Sequence, residues 1–357
     1  MQRGWVLAFV AFAQLLAAAG ALDATTVVPL VDLPPAIAYE PAAAEVLRGA
    51  AHSIDLLLSS GRLNGVSLWE ELAAAAARGV VVRVLLDQSD WAPSITAGNR
   101  PVLNALRAQG IDARFDDPEV TTHAKLLIVD ARRAIVGSVN WNRYALGEHR
   151  QASLIIDDPD LVEPFAAFFD RLWRGELPNG GMALVTDPLS AERPTFVPLP
   201  DATDTALYAE TTLACLGTAR RSVHVVMYRM SYYPSYPTSI ANRLLDALID
   251  AAGRGLDVRV VLDDCAPYAE SAKANLEAAT MLRFQGVAVR LDDPAITTHA
   301  KLVIIDGETV LLGSTNWNYY SLEQNVEADL ALIGVPSVAA TFDAFFEALW
   351  REARPLL

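Results

Sequence analysis

The sequence predicts an α/β protein in which one sandwich fold is present twice. Three observations support this fold class. The chain has 357 residues, which suits two domains of roughly 150 to 180 residues better than a single core. Residues 106–130 recur, with few changes, as residues 282–306. In both halves, apolar segments of strand length alternate with segments of helical periodicity, which is typical of α/β domains.

The repeat extends beyond that segment. At the same offset along the chain, residues 82–87 (VRVLLD) correspond to residues 258–263 (VRVVLD). The correspondence continues in the sequence Asn-Trp-Asn that begins at Asn140 and again at Asn316. The chain is therefore predicted to consist of two copies of one fold of about 150 residues, because self-similarity at a fixed offset indicates a repeated structural unit.

The elements of the first copy follow from its hydrophobic pattern and its glycines. Gly79 is expected to end an Ala-rich helix and Gly110 a second one. Long apolar runs predict strands that are buried on both faces. In chain order we expect a strand over 53–59, a helix over 68–77, a strand over 80–87, a helix over 102–109, strands over 112–115, 123–129 and 134–139, and a terminal helix with Phe165, Phe168, Phe169 and Trp173 on its buried face.

The predicted domain boundaries follow from the repeat and from proline content. An N-terminal linker is expected over 22–35, the first repeat over 36–181 and the second repeat over 201–357. Residues 182–200 are assigned to a linker between the repeats because they contain four prolines. The second copy carries an insertion rich in tyrosine and proline over 232–237, for which a surface loop, a cap over a site and a membrane contact are all open.

The amino terminus has the pattern of an export signal. One arginine precedes an apolar stretch that ends in Ala19-Gly20-Ala21, so residues 1–21 are predicted to be a signal peptide of a periplasmic or secreted protein. An uncleaved anchor helix is the alternative, since the apolar stretch is just long enough to span a bilayer. An oxidising compartment would permit a disulfide between Cys215 and Cys265, which the sequence leaves undecided.

The charge balance argues against a broad nucleic-acid surface. The chain has 28 Lys and Arg against 43 Asp and Glu, a formal net charge of −15, whereas phosphate neutralisation needs many basic side chains. Lysine is present only as Lys125, Lys273 and Lys301. Two of these three lysines follow a histidine by two residues, at equivalent positions of the repeat, so they are predicted to serve a site rather than solubility.

The pattern HxKxxxxD occurs once in each copy. It comprises His123, Lys125 and Asp130, and then His299, Lys301 and Asp306. On a strand, residues two apart point to the same face, so each histidine is expected beside its lysine. Such a pair suits a phosphate better than a metal ion, because an ammonium beside the imidazole repels a cation and attracts an anion. No metal and no other cofactor is expected.

With this duplicated motif and the Gly-Ser-x-Asn stretch that follows it, the chain resembles the phospholipase D superfamily. The resemblance covers essentially all of the chain after residue 21. It implies two tandem α/β/α sandwich repeats related by a pseudo-twofold axis, with one active site between them. It also implies phosphodiester chemistry through a phosphohistidine intermediate, with no metal.

The resemblance implies roles for the matching residues. His123 and His299 are expected to be the nucleophile and the general acid/base. Lys125 and Lys301, with Asn140 and Asn316, are expected to bind the phosphate. Asp130 and Asp306 are expected to support the motif strands. At two further positions the first copy departs from the second, with Ala145 in place of Ser321 and His149 in place of Asn325.

A Glu or Gln that orients the histidine is also implied, at the same spacing after each motif histidine. These residues are Gln151 and Glu327. We expect Gln151 to contact His123 and Glu327 to contact His299. A carboxylate raises the pKa of an imidazole, so this pairing predicts His123 as the nucleophile and His299 as the acid.

The substrate is not decided by the motif. The export signal, the acidic balance and the tyrosine-rich insertion favour a phospholipase D that hydrolyses a phospholipid to phosphatidic acid and an alcohol. Phosphatidyl transfer, as in cardiolipin synthases, is a variant of this reaction. A nuclease of the same superfamily is the alternative, and a noncatalytic scaffold is disfavoured because both His, Lys and Asn sets are intact. The fused repeat predicts that a monomer contains a complete site. If the substrate is a lipid, we expect the protein to contact a membrane surface only transiently.

Overall fold

Two mixed β-sheets, each flanked by helices, form the part of the protein that the structure describes. The computed structural model describes residues 26–89, 92–176, 194–203, 205–264 and 266–356. In this part of the chain the first repeat comprises β1 (Thr26–Asp32), α1 (Tyr39–Arg48), β2 (Ser53–Leu58), α2 (Leu68–Ala77), β3 (Val81–Leu86), α3 (Pro93–Ala108), β4 (Asp112–Phe115), β5 (Lys125–Val129), β6 (Arg133–Gly137), α4 (Arg143–Gly147), β7 (Gln151–Asp157) and α5 (Pro159–Trp173).

The second repeat has the same order of elements. It comprises β8 (Thr195–Asp201), α6 (Leu207–Thr218), β9 (Ser222–Met227), α7 (Ile240–Gly253), β10 (Asp257–Leu262), α8 (Ala269–Phe284), β11 (Ala288–Leu291), β12 (Lys301–Ile305), β13 (Thr309–Gly313), α9 (Tyr319–Glu323), β14 (Glu327–Ile333), α10 (Pro336–Glu352) and the short β15 (Arg354–Pro355). A 3₁₀ turn at Ala266–Tyr268 precedes α8. The predicted duplication of one α/β sandwich is confirmed.

The motif strand lies at the centre of each sheet. The first sheet has the order β1-β7-β6-β5-β2-β3-β4, and the second has the order β15-β11-β10-β9-β12-β13-β14-β8. Strands β2, β3 and β4 are parallel and are joined through helices, whereas β5 pairs antiparallel with both β2 and β6. The loop that precedes each motif strand therefore lies near the middle of one end of the sheet, where the loops of several strands meet.

Among the described residues, three hydrophobic cores explain why the central strands are apolar on both faces. The middle core lies between the two sheets and contains Phe168 of α5 and Phe345 of α10 together with side chains from both repeats. The two outer cores lie between each sheet and its own outer helices. Along β5, Leu126 packs into the middle core and Leu127 into the outer one, because successive side chains of a strand point to opposite faces.

The two repeats meet through reciprocal contacts. Thr122 forms a parallel bridge with Val326, and Arg150 forms the equivalent bridge with Thr298, so that both members of each bridge correspond in the repeat. Such an exchange of equivalent contacts is what a twofold relation between two units requires. The buried guanidinium of Arg150 also pairs with Asp292 and Glu352 of the second repeat. The middle core and these contacts hold the two motif strands at a fixed separation.

Two predicted linkers are wrong in part. Residues 26–32, assigned to the N-terminal linker, form β1 and pair along their whole length with β7. Residues 195–201, of which all but the last were assigned to the linker between repeats, form β8 and pair with β14. Both are edge strands, where a proline such as Pro29 or Pro198 is tolerated because its missing N–H faces away from the ladder. The proline content therefore did not mark a linker at these positions.

Smaller boundaries also differ from prediction. Helix α3 begins at Pro93, well before the predicted start at residue 102, and β5 begins at Lys125 rather than at His123. The predicted signal peptide 1–21, Cys265 of the possible disulfide and residues 182–193 of the predicted linker lie outside the described residues. Within the described residues, no helix is both long enough and apolar enough to cross a membrane.

Candidate active site

A cleft of about 820 Å³ opens where the two repeats meet. Its lining contains both motif histidines, His123 and His299, and both predicted phosphate-binding amides, Asn140 and Asn316. The structure thus brings together side chains that lie in different halves of the sequence. Neither motif lysine and neither motif aspartate lines this cleft.

Each motif histidine is held by the backbone of the other repeat. The N–H of His123 donates to the carbonyl oxygen of Val326 at 2.8 Å, and the N–H of His299 donates to that of Arg150, also at 2.8 Å. Both histidines precede their strands and therefore lie in the loops at the end of the sheet rather than within it. The cleft is consequently complete only when the two repeats are assembled.

The imidazole of His123 is bound by a buried carboxylate. Its Nδ1 lies 2.9 Å from Oε2 and 3.0 Å from Oε1 of Glu327, which is fully buried. Glu327 also accepts hydrogen bonds from Ser314 Oγ at 2.5 Å and Asn325 Nδ2 at 3.1 Å. Because an ionised carboxylate can only accept, Nδ1 of His123 carries a proton and Nε2 is the ring nitrogen left for a ligand. Burial lowers the pKa of His123, and the charge of Glu327 opposes that effect.

The imidazole of His299 is bound by a neutral acceptor. Its Nδ1 donates to the carbonyl oxygen of Ser138 at 2.9 Å. The hydroxyl of Ser138 in turn donates to Oε1 of Gln151 at 2.7 Å. Burial lowers the pKa of His299 well below its usual range, and the ammonium groups of Lys301 and Lys125 lower it further. A bound phosphate anion would oppose the effect of those two charges.

The predicted pairing of these orienting residues is wrong. Glu327 contacts His123 of the other repeat and not His299, and Gln151 reaches His299 only through Ser138. The reason is that β14, which begins at Glu327, lies against the loop that carries His123 across the interface between repeats. The contact is set by assembly of the two repeats and not by the spacing of the residues along the chain.

The two lysines lie behind the histidines. Lys125 Nζ donates to the carbonyl oxygen of His123, and Lys301 Nζ donates to that of His299 at 2.6 Å. Both side chains are at most 4% exposed. Burial lowers the pKa of Lys125 to about 8 and that of Lys301 well below its usual range. The lysines therefore lie beneath the cleft, and they do not stand beside the histidines on its wall as the strand periodicity predicted.

The two motif asparagines differ in their bonding. Asn140 Oδ1 accepts a hydrogen bond from the N–H of Ser60 at 3.2 Å. Asn316 Oδ1 is buried and has no hydrogen-bond partner among the described residues. Both amides line the cleft between the histidines' loops, so their remaining donors are available to an oxyanion.

The motif aspartates lie at the far end of their strands, away from the cleft. Asp130 accepts from the N–H groups of Ala51, His52 and Ser53, at 2.7 to 2.9 Å. Asp306 accepts from Arg220, Arg221 and Ser222 in the same way. Each carboxylate thus ties the end of a motif strand to the start of the neighbouring strand. Burial opposes ionisation, but these donors outweigh it and lower the pKa of both carboxyl groups.

We expect replacement of Asp306 by Ala to lower the free energy of unfolding by about 2 kcal/mol, because three backbone donors lose a charged acceptor. The difference from wild type should shrink as the pH falls below 3.8, since the folded protein favours the ionised form. Urea unfolding at several pH values measures this. The matched Asp250→Ala change is at an exposed helix position and should cost less than about 0.5 kcal/mol. Equal effects of the two changes would contradict the bracing role of Asp306.

Comparison with protein families agrees with this geometry. The family model described as "Cardiolipin synthase, PLD-like domain" matches residues 44–173 and 212–350, which is once in each repeat and most of the chain. The chain belongs to the phospholipase D superfamily. The two matched segments contain every predicted site residue of both motifs.

Curated relatives of this phospholipase D superfamily member include both hydrolases and synthases. Mitochondrial cardiolipin hydrolase of Danio rerio is 37% identical over 102 residues, which is 28% of this chain and 43% of the relative. The Homo sapiens hydrolase is 35% identical over 127 residues, 36% of this chain and 48% of the relative. The chain therefore spans less than half the length of these hydrolases. Cardiolipin synthase A of Klebsiella pneumoniae is 24% identical over 313 residues, 79% of this chain and 61% of the relative.

Solved structures share the superfamily fold at low sequence identity. Phosphatidylserine synthase of Haemophilus influenzae has a TM-score of 0.70 at 13% identity, over 89% of this chain and 85% of that one. Polyphosphate kinase of Porphyromonas gingivalis has a TM-score of 0.62 at 14% identity, over 92% of this chain and 47% of that one. At such identities the likeness concerns the fold alone.

Two pairs of supporting residues in this superfamily member were missed by the sequence analysis. Asp87 and Asp263 are fully buried and accept from the N–H groups that precede the motif histidines, those of Thr122 and Thr298. Asn99 and Asn275 are fully buried and each bridge three backbone groups of the adjacent loops. Both pairs recur at the offset of the repeat, and that recurrence of polar residues was the available signal.

The two divergent positions also lie at the cleft. His149 lines it, with its ring 6.3 Å from that of His299, and burial lowers the pKa of His149 to about 4. Its Nδ1 is buried with no hydrogen-bond partner in the described part of the chain. At the equivalent place Asn325 binds Glu327. The two sides of the site are therefore chemically different, although the fold repeats.

Proposed function

We infer that the protein is a phosphodiesterase that forms a phosphohistidine and hydrolyses a phospholipid to phosphatidic acid and an alcohol. The observation that supports this best is the pair of half-buried histidines from the two repeats, which line one cleft and have their Nδ1 atoms fixed by different acceptors. Each ring then offers its Nε2 atom to the same substrate.

The proposed first step uses His123 as the nucleophile. Its Nε2 attacks phosphorus, and the imidazole ring gains positive charge as the N–P bond forms. Glu327 stabilises that charge through Nδ1, in the way a buried carboxylate stabilises an imidazolium in a catalytic triad. His299 donates the proton that the leaving oxygen needs as the P–O bond breaks. The sequence analysis assigned His123 as the nucleophile because it expected an amide partner, Gln151. The partner is a carboxylate, and the assignment now depends on the stabilisation of the charged ring by that carboxylate.

The proposed second step reverses these roles. His299, now neutral at Nε2, takes a proton from water as the water oxygen attacks phosphorus and the N–P bond breaks. The amides of Asn140 and Asn316 donate to the nonbridging oxygens, and the buried charges of Lys125 and Lys301 favour the anion throughout. Product and free enzyme result with all protons accounted for.

The mouth of the cleft supports a lipid substrate. Tyr144 and Tyr320 occupy equivalent positions in the two repeats, line the cleft and are 53% and 66% exposed. Tyr319 and Tyr236 extend this exposed surface on the second repeat, where the N–H of Tyr319 donates to the hydroxyl of Tyr233. Tyrosine is favoured at the boundary between lipid and water because its ring is apolar and its hydroxyl is polar. We therefore propose transient contact with a membrane surface around the cleft.

The balance between hydrolysis and transfer has support on both sides. Identity is higher to relatives named cardiolipin hydrolase, over about a third of this chain, which favours water as the acceptor. The match to a relative named cardiolipin synthase is weaker but covers 79% of this chain, which favours a lipid alcohol as the acceptor. We place hydrolysis first and phosphatidyl transfer second. Both reactions share the first step.

We further propose export to the periplasm or the exterior, on the pattern of residues 1–21, and activity as a monomer, because one chain supplies both histidines.

Incubation with phospholipid vesicles and with single-stranded DNA, each in the presence of EDTA, tests the proposed function. We expect phosphatidic acid from the vesicles, and we expect it to be lost with His123→Ala, which removes the nucleophile. The control variant is Asp250→Ala at an exposed helix position. Cleavage of DNA alone would overturn the lipid assignment. An alcohol acceptor added to the vesicles separates hydrolysis from transfer, since transfer forms a new phospholipid in place of phosphatidic acid.

A further inference from the structure

The floor of the cleft differs between the two repeats at two adjacent pairs of equivalent positions. The N–H of Ser59 donates to Ala124 and that of Tyr228 donates to Ala300, so Ser59 and Tyr228 correspond. The next residues are Ser60 and Arg229, whose carbonyl oxygens accept from Trp141 and Trp317 at 3.1 and 2.9 Å. The first repeat therefore has two small hydroxyl side chains where the second has a tyrosine and an arginine.

Arg229 has a charge that the described part of the chain does not satisfy. Its side chain lines the cleft, its Nε is buried without a hydrogen-bond partner, and it forms no ion pair with any described residue. The other cleft arginine, Arg62, differs because it donates to Ser60 Oγ and to backbone carbonyl oxygens. A half-buried guanidinium without partners has lost water and gained nothing in return. This arrangement indicates a group supplied by a ligand.

The neighbourhood of Arg229 has further unsatisfied polar atoms. Asn316 Oδ1 and His149 Nδ1 are both buried without partners among the described residues, and both side chains line the cleft. Asn316 directly precedes Trp317, whose N–H contacts the backbone of Arg229. Glu270 also lines the cleft, but it is exposed and forms no ion pair with Arg229. The guanidinium is therefore not neutralised by any described residue of the cleft.

Arg229 lies on the His299 side of the site. The ring of Tyr228 lies 4.6 Å from that of His299, and the ammonium of Lys301 lies 4.7 Å from the centre of the Tyr228 ring. In the proposed mechanism His299 protonates the leaving alcohol, so this is the side on which that alcohol departs. A guanidinium on the His299 side of the cleft is placed to bind the leaving alcohol and not the phosphoryl group that stays on His123. Guanidinium binds phosphate oxygens with two parallel hydrogen bonds.

We propose that Arg229 forms an anion subsite for a second phosphate carried by the leaving alcohol. The site then selects phospholipids with two phosphates over those with a cationic head group such as choline. This inference rests on the proposed lipid function and on His299 as the acid. It assigns the selection to the charged one of the two differences between the floors, Arg229 in place of Ser60.

The test compares two lipids in micelles of a nonionic detergent, at the same low mole fraction, so that surface charge is small. Cardiolipin carries the second phosphate and phosphatidylcholine does not. The ratio of their kcat/KM values is measured for wild type, Arg229→Ser, Arg229→Lys and the control Arg243→Ser. Arg243 is exposed on α7 and paired with Glu210. Cleavage of bis(p-nitrophenyl) phosphate is measured on every variant to report an intact site.

We expect wild type to prefer cardiolipin and Arg229→Ser to lower that preference by about 10- to 100-fold, the usual effect of lost hydrogen bonds to a charged group. Arg229→Lys should retain part of it, and Arg243→Ser all of it. Equal losses on both lipids, or a wild type that prefers phosphatidylcholine, would overturn the subsite. If Arg229→Ser also loses activity on bis(p-nitrophenyl) phosphate, the preference of Arg229→Lys for cardiolipin is used instead. A preference below that of wild type supports the subsite, and an unchanged preference overturns it. Cleavage of an oligonucleotide in place of either lipid refutes the proposed function and, with it, a lipid subsite; lipid cleavage with an unchanged ratio refutes the subsite alone.

Discussion

Replacement of His299 by Asn is expected to leave one turnover per site on bis(p-nitrophenyl) phosphate. The p-nitrophenolate ion is stable without a proton, so the first step does not need the acid. The second step does need a base to activate water, and His299 is the proposed base. The phosphoenzyme should therefore accumulate on His123, with a burst of p-nitrophenolate equal to the number of sites. The steady rate after the burst should fall by about 10²- to 10⁴-fold.

The matched variant is His123→Asn, which removes the other imidazole of the same cleft. It should give no burst and no adduct, because the N–P bond cannot form. Stopped-flow absorbance gives the burst amplitude, and mass spectrometry of a digest locates the phosphate. A burst with His123→Asn and an adduct on His299 would reverse the assignment of the two histidines.

Replacement of Glu327 by Gln is expected to lower kcat/KM by about 10²- to 10⁴-fold, because the ring of His123 gains positive charge as it attacks and loses its stabilising carboxylate. The sign of the pH effect also follows. Glu327 raises the pKa of His123, so its removal lowers that pKa and moves the acid limb of kcat/KM to lower pH. The pH profile on bis(p-nitrophenyl) phosphate measures both.

The control for this prediction is Glu270→Gln, the same chemical change at an exposed position of the same cleft that contacts neither histidine. It should leave both the rate and the acid limb close to wild type. Circular dichroism is needed as well, since Glu327 also binds Ser314 and Asn325 in the core. An acid limb that stays in place after Glu327→Gln, in a folded variant, would show that Glu327 does not act through His123.

Much of the fold was predictable because the repeat displays its own pattern twice. Strand β2, helix α2 and strand β4 lie within a residue of their predicted bounds, since each is an apolar run with a clear stop. Strands β1 and β8 were not predicted, because their prolines read as linker in a single sequence. Edge position makes those prolines acceptable, and edge position is a property of the whole sheet.

The site residues were predictable as a set but not as contacts. Duplication and rarity singled out His123, His299 and the two lysines, because a motif that recurs at a fixed offset is visible without a structure. The burial of Lys125 and Lys301 beneath the cleft was not predictable. Strand periodicity shows which face of the sheet a side chain is on, but not whether its residue lies within the strand or in the loop before it.

The sequence by itself determined that two copies of one α/β fold carry matching His, Lys and Asn sets, because covalent duplication leaves the same residues at the same offset in each copy. Only the tertiary structure decided which groups act on each other. Glu327 contacts the histidine of the other repeat because the two repeats pack against each other. Arg229 occupies the position that Ser60 has in the first repeat, and its Nε is buried without a hydrogen-bond partner among the described residues. The repeated sequence thus yields a site with two unlike sides.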